Sequence, residues 1–204
     1  MKKSVKALLL VLCAVVLVVA TVFTTLAFMT SQDTVVNTFT VGSVNITLDE
    51  TDVTIYGVQD TETRVKANVY KLIPGHEYIK DPTIHVAEGS EQSYYFAKIQ
   101  NDLGTNVVFE LNDGWEWHDE ANGVARYTNY AAIDASAEEK DLPAVFSTFE
   151  VIQSPNYGDL KFGGVDGEAT ITVTGYAIQT DGLTGEGGVA DYDAAWNALV
   201  AAQN

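Results

Sequence analysis

The three histidines, His76, His85 and His118, offer the widest range of chemistry in this chain. Zinc sites draw ligands from a helix or a tight knuckle at fixed spacing. Here the imidazoles are scattered. His76 follows the Pro74-Gly75 turn, and His85 sits in an alternating run. His118 lies in Trp115-Glu116-Trp117-His118-Asp119-Glu120. That segment superficially resembles a ligand cluster, but its plainer reading is a solvated acidic loop whose tryptophans cover a sheet edge or the core. The acid-rich stretches 113–120 and 159–168 could offer oxygens to calcium, yet neither has D-x-[DN]-x-[DN]-G spacing. Glu138 and Glu139 are adjacent in sequence and form no general acid/base pair. There is no H-E-x-x-H, no G-x-S-x-G, no phosphate loop and no dinucleotide fingerprint. The single cysteine, Cys13, lies in an apolar N-terminal run. Beyond that run a disulfide framework, a thiolate zinc site and a cysteine nucleophile are excluded. The expectation is a protein without catalysis, metal or cofactor. Asn45-Ile46-Thr47 matches a glycosylation sequon, a weak signal.

The N-terminal run reads as an export signal. Lys2, Lys3 and Lys6 form a basic start, residues 7–23 are almost unbroken apolar sequence, and Thr25 and Ala27 place small residues at −3 and −1. The expected cut falls between Ala27 and Phe28. The alternative is an uncleaved anchor, because residues 7–29 could just span a bilayer. Either way, membrane contact is expected only through the uncleaved signal. Removing residues 1–27 takes away three lysines and no acid, so the formal charge moves from −17 to −20. A surface this acidic argues against nucleic acid and anionic lipid as partners. Residues 28–204 are expected to form a single domain, long enough for a core without disulfide or metal staples.

Those residues read mostly as strands. Val44, Ile46 and Leu48 alternate with polar neighbours, as do Val65, Ala67 and Val69. Ile84 and Val86 follow, then Tyr95, Ala97 and Ile99 within residues 93–100. Residues 107–111, 124–127 and 145–151 are further β-branched and aromatic runs. Residues 169–179 alternate most cleanly, with Thr170, Thr172 and Thr174 opposite Ile171 and Val173. Turn signals punctuate the runs at Pro74-Gly75, Glu88-Gly89, Asp113-Gly114, Asn122-Gly123, Gly163-Gly164 and Asp166-Gly167. Many short strands at this spacing predict an antiparallel β-sandwich or jelly roll. Two stretches break the pattern. Residues 131–141 suggest a loop or short surface helix. Residues 191–202 suggest a C-terminal helix capped by Asp191, with Tyr192, Ala195, Trp196, Leu199 and Val200 on one face. On that face Trp196 reads as a packing anchor.

Three blocks carry a family resemblance. Thr25-Leu26-Ala27-Phe28-Met29-Thr30 followed by residues 36–48 resembles the cleavage region of TasA/camelysin-type proteins. Lys71-Leu72-Ile73-Pro74-Gly75 followed by Ile79-Lys80-Asp81-Pro82-Thr83-Ile84 is similar to that family's turn before a strand. Residues 176–183, with Ala195-Trp196, resemble the end of clostridial members. The resemblance implies export from a Gram-positive bacterium through a SipW-type signal peptidase. It further implies a jelly-roll-like β-sandwich that polymerises into biofilm-matrix or cell-surface fibres, so the expected partners are other copies of the chain. The camelysin side of the family implies a zinc endopeptidase as the alternative, and a monomeric surface adhesin is a third. A zinc peptidase of the helical type needs two ligands one turn apart and a general base, and the sequence has no such triplet.

Cleavage would free an arm, residues 28–41. Val35, Asn37, Phe39 and Val41 share one face at period two, and Val36, Thr38 and Thr40 the other. The arm is expected to add as a strand to a neighbouring subunit, with Phe28 and Phe39 setting register. The competing reading makes 35–48 the first strand of the chain's own sheet, and both can hold in part.

Overall fold

The computed structural model describes residues 12, 13, 15, 43–152, 169–183 and 190–202. By compactness the chain divides into two units, Met1–Thr40 and Val41–Asn204. In the first, Leu12, Cys13 and Val15 are helical and exposed. The expected cleavage residues Thr25, Ala27 and Phe28, the arm residues Val35, Val36, Phe39 and Val41, and the acidic stretch 159–168 lie outside the described residues. Among the described residues, no helix is long and apolar enough to cross a membrane.

The second unit is all-β and sandwich-like, with one short C-terminal helix. The strands are β1 (Ile46–Val53), β2 (Gln59–Val65), β3 (Glu77–Ile79), β4 (Thr83–Val86), β5 (Ser93–Asn101), β6 (Val107–Val108), β7 (Trp115–Asp119), β8 (Val124–Tyr127), β9 (Lys140–Asp141), β10 (Thr148–Val151) and β11 (Ile171–Gln179). The helix α1 spans Tyr192–Ala201. The sheets run β2-β1-β4-β9, β11-β5-β8-β7 and β3-β10-β6. Every ladder is antiparallel.

Alternation explains the main core. Ile84 and Val86 of β4, Tyr95, Ala97 and Ile99 of β5, and Ala125 and Tyr127 of β8 are buried in one cluster. Ile46, Leu48, Ile171 and Val173 pack against it. The first two sheets therefore face one another through their apolar sides. The two sheets are in close contact at Gly175. A Cβ there would stand 3.1 Å from Ile84 Cδ1 and 3.3 Å from Leu48 Cδ1. Tyr78, Leu103, Val107, Phe149 and Val151 form a second cluster around the small sheet.

The β11-β5-β8-β7 sheet is covered on its other face too. Tyr94, Phe96, Val124 and Ala195 are buried together, with Tyr176, Ile178, Tyr192, Trp196 and Leu199 packed around them. The helix supplies this cover. Asp191 caps it by accepting from the Ala194 amide at 2.9 Å. Trp196 lies 5.3 Å from Phe96 and 5.5 Å from Tyr176, ring centre to ring centre, and is the packing anchor expected. Val200, expected on the apolar face, is exposed.

Several local expectations change. Residues 115–119 form strand β7 rather than a solvated loop, because Trp115 is buried and its indole donates to Pro143 O at 2.9 Å. Ala67 and Val69 lie in irregular chain after β2 has ended at Val65. Asn68 lies in that chain. Its side chain accepts from Val53 N at 3.0 Å and donates to Thr51 O at 2.8 Å, the two bonds a neighbouring strand would make. In 107–111, strand covers only Val107–Val108. Within 131–141, Ile133 and Ala135 are buried, so this segment is not a surface helix. The Asn122-Gly123 turn is as expected and carries a strict requirement. Gly123 has φ +68°, and a Cβ there would sit 2.2 Å from Ile99 O.

Candidate functional site

Two assemblies of polar side chains stand out, one on each side of β1. On the outer face, His85 of β4 lies between carboxylates. Its Nε2 is 2.8 Å from Asp49 Oδ1, and its Nδ1 is 2.6 Å from Asp141 Oδ1. Asp49 is held in turn by Arg64 Nε at 2.5 Å, and Arg64 Nη1 reaches Asp81 Oδ2 at 3.1 Å. Asp81 accepts from the Thr51 amide and hydroxyl, both at 2.7 Å. The result is a ladder of alternating charge across β9, β4, β1 and β2. Sequence reading treated His85 as an isolated strand residue. Register is what places His85 opposite Asp141, and Thr47 and Asp49 beside them.

Among the described residues, ligand atoms of His85, Glu139 and Asp141 lie within 4.8 Å of one another, close enough to hold one ion. The bonding describes an ion-pair ladder instead. Ionised carboxylates only accept, so a ring bonded to one at each nitrogen donates from both and is an imidazolium. Burial alone would lower the His85 pKa, but the bonds and charges of Asp49 and Asp141 outweigh it and the net shift is upward. Burial would raise the Asp49 pKa, and the bonds from Arg64 and His85 reverse that and hold it low.

A pH dependence follows. The groups facing His85 are Asp49, Asp141 and Glu139, with Arg64 behind Asp49. A raised folded-state value means the His85 contribution is complete below its ordinary 6.5 and is lost as pH climbs through the raised value. The Asp49 contribution is complete above its ordinary 3.8 and is lost as pH falls through the lowered value. The melting temperature of the protein should therefore fall as pH rises above about 6.5. His85→Gln should be less stable at pH 6 and show a flatter profile above it. Parallel profiles for the two proteins would show that the ladder carries no such linkage.

The second assembly lines a cavity on the inner side. Beside the Gly175 contact, residues of the two large sheets line a cavity of about 670 Å³. Leu48, Tyr70, Leu72, Phe149, Ile171 and Val173 make its apolar wall. Consecutive residues 169–173 line it, so it follows the edge of β11 and not just one face. Among the described residues β11 pairs with β5 alone, and its other edge is open. Glu50, Asn68 and Lys80 also line the cavity. Lys80 Nζ is 2.5 Å from Glu50 Oε2, and the two residues are 8% and 4% exposed. Lys80 belongs to the block that resembles the family's turn before a strand, but no sequence signal pairs it with Glu50 or Asn68. Lys80 and Asn68 sit in turn-like segments, and Glu50 lies in an acidic run of low strand propensity. Comparison with protein-family models, with curated proteins and with solved structures finds no match to this chain.

Proposed function

We propose that this chain is a secreted structural subunit that polymerises into extracellular or cell-surface fibres after its signal segment is removed. The observation that carries this reading is the cavity, walled in part by apolar side chains, along the edge of β11 that pairs with no strand among the described residues. A long unpaired strand edge is a template for another strand. Bordered by a trough with a partly apolar lining, it suits an extended segment whose backbone pairs with the edge and whose alternate side chains enter the trough. Residues 28–41 have that period-two pattern. Donation from one copy to the next is head-to-tail, does not close on itself, and gives a filament. The resemblance of the cleavage region and the Pro74-Gly75 block to TasA/camelysin-type proteins supports the same reading. A zinc endopeptidase is less well supported, because both nitrogens of His85 are committed to carboxylates.

The test is sedimentation and negative-stain microscopy of residues 28–204. Fibres of varied length are expected, and a stable monomer under all conditions would decide for the adhesin. A companion result concerns export. N-terminal sequencing of the secreted protein should begin Phe28-Met29-Thr30. A full-length membrane-bound product would show that the apolar run is an anchor and that no free arm is made.

A further inference from the structure

Glu50, Lys80 and Asn68 form one hydrogen-bonded group beside the cavity. Glu50 uses one oxygen for each of the other two. Oε2 is 2.5 Å from Lys80 Nζ, and Oε1 accepts from Asn68 Nδ2 at 2.9 Å. The Asn68 carbonyl oxygen accepts from the Val53 amide at 3.0 Å. A buried ion pair by itself stabilises little, because desolvation offsets the attraction and an apolar pair could fill the same space. The pair neutralises Glu50 where β1 runs through the interior, and its small net stabilisation leaves room for a chemical role. The groups that acyl transfer needs are all held by the same carboxylate or its neighbour: an amine, a proton carrier bonded to both nitrogens, a carboxamide, and a backbone donor on its oxygen.

We infer that Lys80 and Asn68 become covalently joined by an amide bond between Lys80 Nζ and Asn68 Cγ. Lys80 gives one proton to Glu50 Oε2, and the neutral amine attacks Asn68 Cγ. The Val53 amide stabilises the negative charge that develops on Oδ1. Glu50 then protonates Nδ2, and the bond from Cγ to Nδ2 breaks. Glu50 takes the second proton from the new bond's nitrogen as the carbonyl reforms. Ammonia leaves and carries off the proton that Glu50 holds. One C–N bond forms, one breaks, Glu50 is regenerated, and no oxidant or cofactor is needed. Glu50 is a catalytic residue in this single turnover. The product closes a loop from residue 68 to residue 80. It fastens the irregular segment lining the cavity to the chain that follows β3. The inference stands whether or not the protein forms fibres.

Mass spectrometry of denatured residues 28–204 tests it, since a covalent bond survives unfolding. The expected mass is that of the sequence less one ammonia, with a proteolytic fragment joining the Asn68 and Lys80 peptides. Glu50→Gln and Lys80→Arg should each show the full mass. The full mass in the unaltered protein overturns the inference without recourse to variants. So does loss of one water, which would join Lys80 to Glu50. Loss of ammonia mapped to Asn122-Gly123, a sequence prone to cyclise, overturns it as well. A deficit that persists in Glu50→Gln removes Glu50 from the chemistry.

Discussion

Residues 37–204 should remain folded and fail to make fibres under conditions where residues 28–204 assemble. The shorter chain keeps every described residue from Ser43 onward, and with them β1, β11 and the cavity between them. Its melting temperature should match that of the longer chain. What it lacks is Phe28, Val35 and Val36, while Phe39 and Val41 remain. A subunit with its arm cut to residues 37–41 can still accept a strand from a neighbour but has too little to donate. It should therefore act as a chain terminator. Added in small amounts to residues 28–204, it should shorten the fibres, with mean length falling as its fraction rises. This outcome separates donation from the competing reading, in which 35–48 belongs to the chain's own sheet. In that case truncation would lower stability along with assembly. Equal fibre formation by the two forms would rule out the donated arm.

Phe96→Ala should be among the most destabilising single changes in the sandwich, at about 3–5 kcal/mol for a fully buried phenylalanine. Phe96 is 0% exposed. Its ring lies 5.3 Å from that of Trp196, 5.5 Å from His118 and 6.2 Å from Tyr192. Tyr192 is itself tied to the sheet, donating to Tyr127 O at 3.1 Å and Thr128 O at 3.0 Å, with the Arg126 guanidinium 4.6 Å from its ring centre. Removing Phe96 takes away the surface on which α1 is seated. Lys98, next on the same face of β5, is exposed, so Lys98→Ala should shift stability by no more than about 0.5 kcal/mol. Urea unfolding followed by tryptophan fluorescence measures both. Equal midpoints for the two variants would mean that the helix contributes nothing to this face.

The same residue shows where local pattern stops being informative. Period two within β5 singled out Tyr95, Ala97 and Ile99, and these do face the core between the sheets. It gave no reason to bury Tyr94 and Phe96, since a strand covered on both faces looks the same over a short run as one with an aromatic outer side. A helix nearly a hundred residues later makes the difference.

The sequence by itself determined the all-β character, the turns at Gly75, Gly89, Gly114 and Gly123, and the capped C-terminal helix with its tryptophan anchor. Each rests on neighbours a few positions apart: side-chain alternation, positive φ at glycine, and an aspartate ahead of an apolar stripe. The tertiary structure alone decided what depends on distant partners. Asp49 to Asp52 is a poor strand sequence, and it extends β1 because Arg64, His85 and Lys80 arrive from other segments to neutralise Asp49 and Glu50. Val65, Ala67 and Val69 alternate like a strand. Past Val65 the chain leaves the ladder, and the Asn68 side chain bonds the β1 backbone at Thr51 and Val53 rather than at the Asp49 and Leu48 that a longer β2 would meet. His85 and Asp141 are 56 residues apart, and Glu50 and Lys80 are 30 apart. Separations of that length are set by which strands pair and in what register. A charged residue therefore gives no local sign of the partner it will meet across a sheet.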